Sequence, residues 1–236
     1  MTTITISRQF GSGGDEIANR VCDILGYRRF DKRVLVQAAV QSGLSEQEVI
    51  DYSEEDYKVR SFLERLLGRS ATIATVRVWE ENVSGIRMPD EIKLSEASVL
   101  SLVQNAIRSA HKLGNIVIVG RGGQVLLKDE KDVLHVRIIA PMEDRIQFLK
   151  EQIKPTRQSF GADLTLRREA QDKIVARDEA SAEYLKTIYG VDWNDPAFYH
   201  MLLNTSKLTL DQASQVIAAA AQEMASQATG LAAVVT

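Results

Sequence analysis

The chain has 236 residues and a mass of 26.2 kDa, which suits one α/β domain with a full core and a small insertion. Hydrophobic residues make up 44% and charged residues 26%, so composition argues against disorder and against membrane insertion. A net charge of -3 and a pI near 5.7 supply no general basic field, which argues against long nucleic acid as a partner; any anion must be held by a local site.

Thr3 to Ile6 reads as a short strand, and glycines at 11, 13 and 14 supply the turn after it. A helix is expected next, with Ile17, Val21, Ile24 and Leu25 at helical spacing and Gly26 as its C-terminal cap. Cys22, the only cysteine, lies on the same face, where its expected role is packing. One cysteine excludes an intramolecular disulfide and a multi-cysteine metal site, and fits a reducing compartment. The start of the chain carries no targeting pattern, and no run reaches the roughly 18 apolar residues of a membrane helix. A cytoplasmic protein without a membrane partner is expected.

Tyr27 to Phe30 reads as a second extended segment leading to Asp31-Lys32, and Val34, Leu35, Ala38 and Ala39 suggest a helix, followed by a capping box at Ser45 and Glu48. Residues 51–90 mix charged and apolar groups, with loops expected at Ser84-Gly85 and Met88-Pro89-Asp90; they are read as a substrate-side insertion. A helix is expected over Ser95 to Lys112, closed by Gly114, and then a buried strand over Ile116 to Val119. Gly120-Arg121-Gly122-Gly123 follows that strand.

Val133 to Ile139 is a further strand, and Pro141 with Glu143 and Asp144 opens a helix. A mobile loop is expected over 151–166, within a lid region at 151–170. A late strand is expected over Phe198 to Leu203, and then a helix capped by Thr209 and Gln212 that runs to about Met224. Residues 226–236 read as a frayed, flexible tail. The β-helix-β alternation predicts a mainly parallel sheet with helices on both faces, ligands binding at the strands' C-terminal ends. Both glycine-rich segments fall there.

In Ser7-Arg8-Gln9-Phe10-Gly11-Ser12-Gly13-Gly14, glycines let successive amides and a helix N-terminus converge on one anion, which suits a polyphosphate. A purely structural turn is the alternative reading. Against G-x-x-x-x-G-K-[ST], Gly14 stands in place of the lysine and Arg8 in place of the first glycine. Either Arg8 supplies the displaced charge, since a guanidinium can fork across two phosphate oxygens, or it forms a surface salt bridge. Asp15 and Glu16 stand where a Mg²⁺-binding hydroxyl would lie; as acids in a first helical turn they also suit the helix dipole, the preferred reading. A dinucleotide-binding G-x-G-x-x-G starts at Gly11 and Gly13, with Asp31 at the ribose-binding distance, but Glu16 fills the third glycine position. His111, His135 and His200 form no metal-ligand spacing.

Several separated motifs occur in order: Ile4-Thr5-Ile6-Ser7-Arg8-Gln9-Phe10-Gly11-Ser12-Gly13-Gly14, Asp31-Lys32, Ile118-Val119-Gly120-Arg121-Gly122, Ala140-Pro141-Met142-Glu143-Asp144-Arg145, and Asp192-Trp193 leading to Leu203-Asn204-Thr205. With these, the chain resembles the cytidylate kinase-like family, a branch of the P-loop nucleoside monophosphate kinases, from Thr3 to about Ile217. The resemblance implies a P-loop NTPase kinase-type three-layer α/β fold with a small lid, a single domain over 1–225. It also implies ATP and Mg²⁺ as cofactors and a nucleotide as acceptor, CMP or dCMP. On that basis Arg8, Gly11, Ser12, Gly13, Gly14 and Asp15 form the ATP site. Arg121 matches the arginine of a Gly-Arg-Asp motif that holds the acceptor phosphate, although Gly122 follows it. Arg145 matches the arginine at the lid's start, and Arg177 and Asp178 fall in the region that closes the cleft. Arg8, Arg121, Arg145 and Arg177 are the expected catalytic charges, and Asp31, Arg121 and Asp178 the expected acceptor contacts. Asp31 reads equally well as a helix cap. Glu179, Ala180 and Ser181 replace expected basic groups, so a nucleotide-binding regulatory module without transfer activity stands as the second reading.

Overall fold

The first strand, β1 (Thr3–Arg8), is buried almost throughout and alternates two chemistries. Ile4 and Ile6 enter an apolar cluster on one face of the sheet, while Thr5 and Ser7 take part in a polar buried network on the other. In this computed structural model, the described residues are 1–30, 74–81, 87–94, 96–152 and 162–234. They form β1, α1 (Gly14–Leu25), β2 (Arg28–Phe30), β3 (Ala74–Glu81), β4 (Arg87–Leu94), α2 (Glu96–Leu113), β5 (Ile116–Val119), α3 (Gly123–Leu126), β6 (Val133–Ile139), α4 (Met142–Gln152), α5 (Ala162–Tyr189), β7 (Met201–Asn204) and α6 (Leu210–Val234).

Five strands form one sheet in the order β2-β5-β1-β6-β7. β1 pairs in parallel with β5, Thr3 opposite Ile116, and with β6, Thr3 opposite Val133, while β6 pairs in parallel with β7. The expected α/β fold with a mainly parallel sheet is what forms. Ile4, Ile6, Val117, Val119, Leu134, Val136 and Ile138 pack with Ile17, Ala18 and Val21 of α1 and with Ala213, Ile217 and Ala221 of α6. Each fully buried aliphatic side chain of this kind stabilises by about 1.5–3 kcal/mol. α4 and α5 pack through Ile146, Leu149, Ala170 and Ile174, with Phe10 against them.

Local chemistry sets the boundaries. Gly26 closes α1 at φ 66°, and the Tyr27 amide donates back to the Cys22 carbonyl at 3.0 Å. Burial pushes the Cys22 thiol up to about 11, so it stays protonated at neutral pH, as a packing role requires. α6 starts on a reciprocal cap in which Thr209 N donates to Gln212 Oε1 at 2.9 Å and Gln212 N to Thr209 Oγ1 at 3.2 Å.

Four sequence expectations need correction. Met88-Pro89-Asp90 is not a loop but part of β4, antiparallel to β3 with Trp79 opposite Pro89; in a two-stranded sheet both strands are edges, where proline's missing N–H is tolerated. Residues 162–166 begin α5 instead of ending a loop. The late strand starts at Met201, because Asp195 caps a 3₁₀ turn over Pro196–Phe198 by accepting from Ala197 N. The last helix does not stop near Met224 but continues to Val234 through the presumed tail, since its alanines are strong helix formers.

The chain divides into two compact units, one comprising Met1–Arg29 with Leu113–Thr236, the other Phe30–Lys112. The sequence expectation is a single domain over 1–225 with an insertion at 51–90, a lid region at 151–170 and a tail at 226–236. The helix and capping box expected over 34–48, together with Asp31, lie outside the described residues. Among the described residues, no helix is long and apolar enough to cross a membrane.

His135 sits 3% exposed between the sheet and His200, whose ring stacks on it at 5.1 Å; Thr5 Oγ1 lies 2.7 Å from its Nδ1. Burial first, then the neighbouring His200 ring, lowers its pKa from 6.5 to about 4. The unfolded chain therefore takes up this proton near pH 6.5 while the folded protein does not. This contribution to stability is complete above pH 6.5, declines as pH falls to about 4, and amounts to about 3 kcal/mol at most. Urea unfolding at pH 7 and pH 4.5 should show this loss in the wild type, and His135→Gln should flatten the dependence. Equal slopes in both proteins would assign the acid sensitivity elsewhere.

Candidate functional site

The glycine turn at the end of β1 is pinned from several sides. Gln9 N donates to the Ile138 carbonyl at 3.0 Å, and its side-chain Oε1 accepts from Ala140 N at 3.1 Å, tying the turn to the end of β6. Ser12 Oγ donates to the Gln9 carbonyl at 2.7 Å. From the end of β7, Thr205 Oγ1 donates to the Ser12 carbonyl at 2.9 Å. Gly11 and Gly13 hold φ of 80° and 76°, left-handed values that side chains resist. Among the described residues no side chain caps α1 at Gly13, and the opening amides of that helix point where an anion would sit.

The sequence departure at Gly14 has a steric cause. A Cβ on residue 14 would stand 2.5 Å from Arg8 Cβ and 2.8 Å from Arg8 Cγ. Arg8 and a lysine at 14 therefore exclude one another. The missing lysine and the added arginine are two halves of one change.

Arg8 Nε donates to Asp15 Oδ2 at 3.2 Å, and Arg29 holds the other carboxylate oxygen at 2.5 Å. Burial alone would raise the Asp15 pKa, but the two guanidinium groups outweigh it and hold the carboxyl below its ordinary value. Arg29 also donates to Asn19 Oδ1 at 2.6 Å. Neither stood out in the sequence, because β2 reads only as a short basic strand and Asn19 as one polar residue of α1.

Arg145, Arg177 and Asp178 gather around Phe10. Arg145 donates to Asp178 Oδ2 at 2.5 Å and to the Phe10 carbonyl at 3.3 Å, and Phe10 N donates to Asp178 Oδ1 at 2.8 Å. The Arg145 and Asp178 side chains are 6% and 19% exposed, so a buried guanidinium meets a partly buried carboxylate at the loop. Arg177 and Lys173 place their charges 5.7 and 5.6 Å from the centre of the Phe10 ring. Asp178 thus bonds the loop itself.

Arg121 follows β5, one strand over from Arg8. Gly120, Arg121 and Gly122 all have positive φ, 69°, 56° and 69°, and the Gly120 amide donates to the Ile6 carbonyl. An arginine in that region costs about 1 kcal/mol, which marks a constrained placement. An acid at 122 would collide with the Tyr189 ring, since a Cβ there would lie 2.5 Å from Cε2. Packing thus accounts for the loss of the motif's third member.

Arg137 was missed by the sequence reading. It is 2% exposed in β6, donates to Ser7 Oγ at 3.1 Å and Asn194 Oδ1 at 2.7 Å, and lies 4.2 Å from the centre of the Trp193 ring. Trp193 Nε1 donates to the same Ser7 hydroxyl at 2.8 Å. Asp192-Trp193 therefore braces the residue preceding Arg8. An arginine between Val136 and Ile138 in a strand expected to be buried was the signal available.

A glycine turn between β1 and α1, uncapped and ringed by arginines at the C-terminal edge of a parallel sheet, is the arrangement of a phosphate-binding kinase fold. The chain matches the cytidylate kinase-like family over residues 3–207 and belongs to it. That membership supports a phosphotransferase. No curated protein sequence matches the chain significantly. Among solved structures, it is similar to an uncharacterized protein from Eubacterium ventriosum, at 16% identity and a TM-score of 0.59, covering 94% of this chain and 99% of that one. It aligns less well with shikimate kinases from Bacteroides thetaiotaomicron (10% identity, TM-score 0.43, 92% and 95% covered) and Acinetobacter baumannii (14%, 0.39, 92% and 90%).

The Mg²⁺ implied by the resemblance does not fit the described carboxylates around the glycine loop. Mg²⁺ takes oxygen ligands in near-ideal octahedral geometry. Both Asp15 oxygens are held by guanidinium groups, both Asp178 oxygens are taken, and Glu16 Oε1 accepts from Gln152 Nε2 at 2.8 Å. The end of β5 carries Arg121 rather than a carboxylate.

Proposed function

We propose that this protein transfers the γ-phosphate of ATP to a nucleoside monophosphate, CMP or dCMP. ATP sits with its phosphates on Gly11 to Gly14. The observation that carries this reading is the uncapped start of α1 with Arg8 fixed directly over Gly14. Phosphoryl transfer depends mainly on positioning and on neutralising charge spread over the phosphate oxygens. Arg8 serves the triphosphate from the foot of the loop, Arg121 serves the acceptor phosphate from the neighbouring strand, and Arg145 and Arg177 stand on the lid side. The single cysteine supports a reducing compartment, the cytoplasm, as the place of the reaction.

A second reading, a nucleotide-binding module without transfer, is favoured by one feature: Asp178 and Arg145 neutralise each other on the loop. The two differ in turnover. ADP formation from ATP, with magnesium chloride present, should appear with one member of a panel containing CMP, dCMP and UMP. Arg121→Ala should reduce that rate by about a hundredfold, as loss of a transition-state charge partner does. Binding of ATP without ADP formation from any acceptor would favour the regulatory module.

A further inference from the structure

Where a lysine, a hydroxyl and a metal ion commonly share the neutralisation of a bound triphosphate, this chain places two guanidinium groups bridged by one carboxylate. Arg8 enters from β1 and Arg29 from β2, and each holds a different oxygen of Asp15, the residue in the hydroxyl's position. The Arg8 stem is fixed by its packing over Gly14. Among the described residues, both Asp178 oxygens and one Glu16 oxygen are hydrogen-bonded as well.

We propose that the loop binds its polyphosphate without a protein-bound divalent cation, Arg8 and Arg29 standing in for the metal and Asp15 holding them in register. This rests on the triphosphate reading given above and goes beyond it, because it names the charge state of the ligand the loop accepts: the metal-free polyphosphate. A guanidinium keeps its proton throughout the accessible pH range and offers planar, forked donors that match phosphate oxygens. A carboxylate with both oxygens held by such groups has no incentive to strip water from Mg²⁺, which gives up its hydration reluctantly. Asp15 orients both guanidinium groups, so removing its charge should weaken polyphosphate binding whether or not Mg²⁺ is present.

The test is calorimetric titration of the full chain with ATP, once in EDTA and once in magnesium chloride. Kd should agree within about threefold between the two buffers, and Asp15→Asn should bind ATP severalfold more weakly than the wild type in both of them alike. Wild-type binding more than about tenfold weaker in EDTA would overturn the proposal while leaving the nucleotide reading intact. An Asp15→Asn loss of affinity confined to the magnesium buffer would also overturn it, identifying Asp15 as a metal ligand. Absence of binding in both buffers would overturn the proposal together with the triphosphate reading. Matching far-UV spectra establish that the variant is folded.

Discussion

Asp178→Ala should lower the free energy of unfolding by about 3 kcal/mol, a large part of the stability of a domain this size. The substitution removes a carboxylate that accepts from Arg145 and from the Phe10 amide at once. Arg145 would remain a buried cation whose Nε already has no hydrogen-bond partner. An uncompensated buried charge is costly in a way that an exposed one is not, so the melting temperature should fall by roughly 6–12 °C. The double replacement Arg145→Leu with Asp178→Leu should recover much of this loss, because no charge is then left unpaired. Additive losses in the double variant would show that the two residues act independently, and would remove the pair as the clasp between α5 and the loop.

Gly14→Lys, which restores the residue most common at that motif position, should damage the protein. Its Cβ would meet Arg8 Cβ at 2.5 Å, a stem atom with little freedom to move, and overpacking of this kind costs about 1–3 kcal/mol. The loop must shift, and stabilisation by ATP should disappear with it. Combining Gly14→Lys with Arg8→Gly should restore both folding stability and a thermal shift with ATP, since the new lysine then supplies the cation. Arg8→Gly alone should weaken ATP binding by about ten- to a hundredfold, the scale of one lost charge-assisted contact. If Gly14→Lys were as stable as the wild type, the steric exclusion would be disproved.

The strands that carry the site were legible because their sequences are short runs rich in β-branched residues. Ile116 to Val119 and Val133 to Ile139 form where expected, and Gly26 and the Thr209-Gln212 pair mark helix ends by chemistry confined to a few residues. The hairpin of β3 and β4 was not legible, since Pro89 and its acidic neighbours read as punctuation and only pairing with Trp79 makes them strand. Within the site, the sequence marked Arg8, Arg121, Arg145 and Asp178 singly. It could not disclose that Arg145 and Asp178, 33 positions apart, neutralise each other, or that Arg29 shares Asp15 with Arg8. Such pairings follow from the crossing of elements distant in sequence, which no local pattern encodes. The Arg8-Gly14 exclusion is similar: the sequence showed two departures, and only the turn of the chain shows that they are one.

Following the γ-phosphate itself tests the central claim most directly. The purified chain would be incubated with γ-labelled ATP and CMP or dCMP, and the products separated by thin-layer chromatography. Label should move into the corresponding nucleoside diphosphate, and should fail to do so with Arg121→Ala. Label that stays in ATP, or appears only as inorganic phosphate, would contradict transfer to a nucleoside monophosphate.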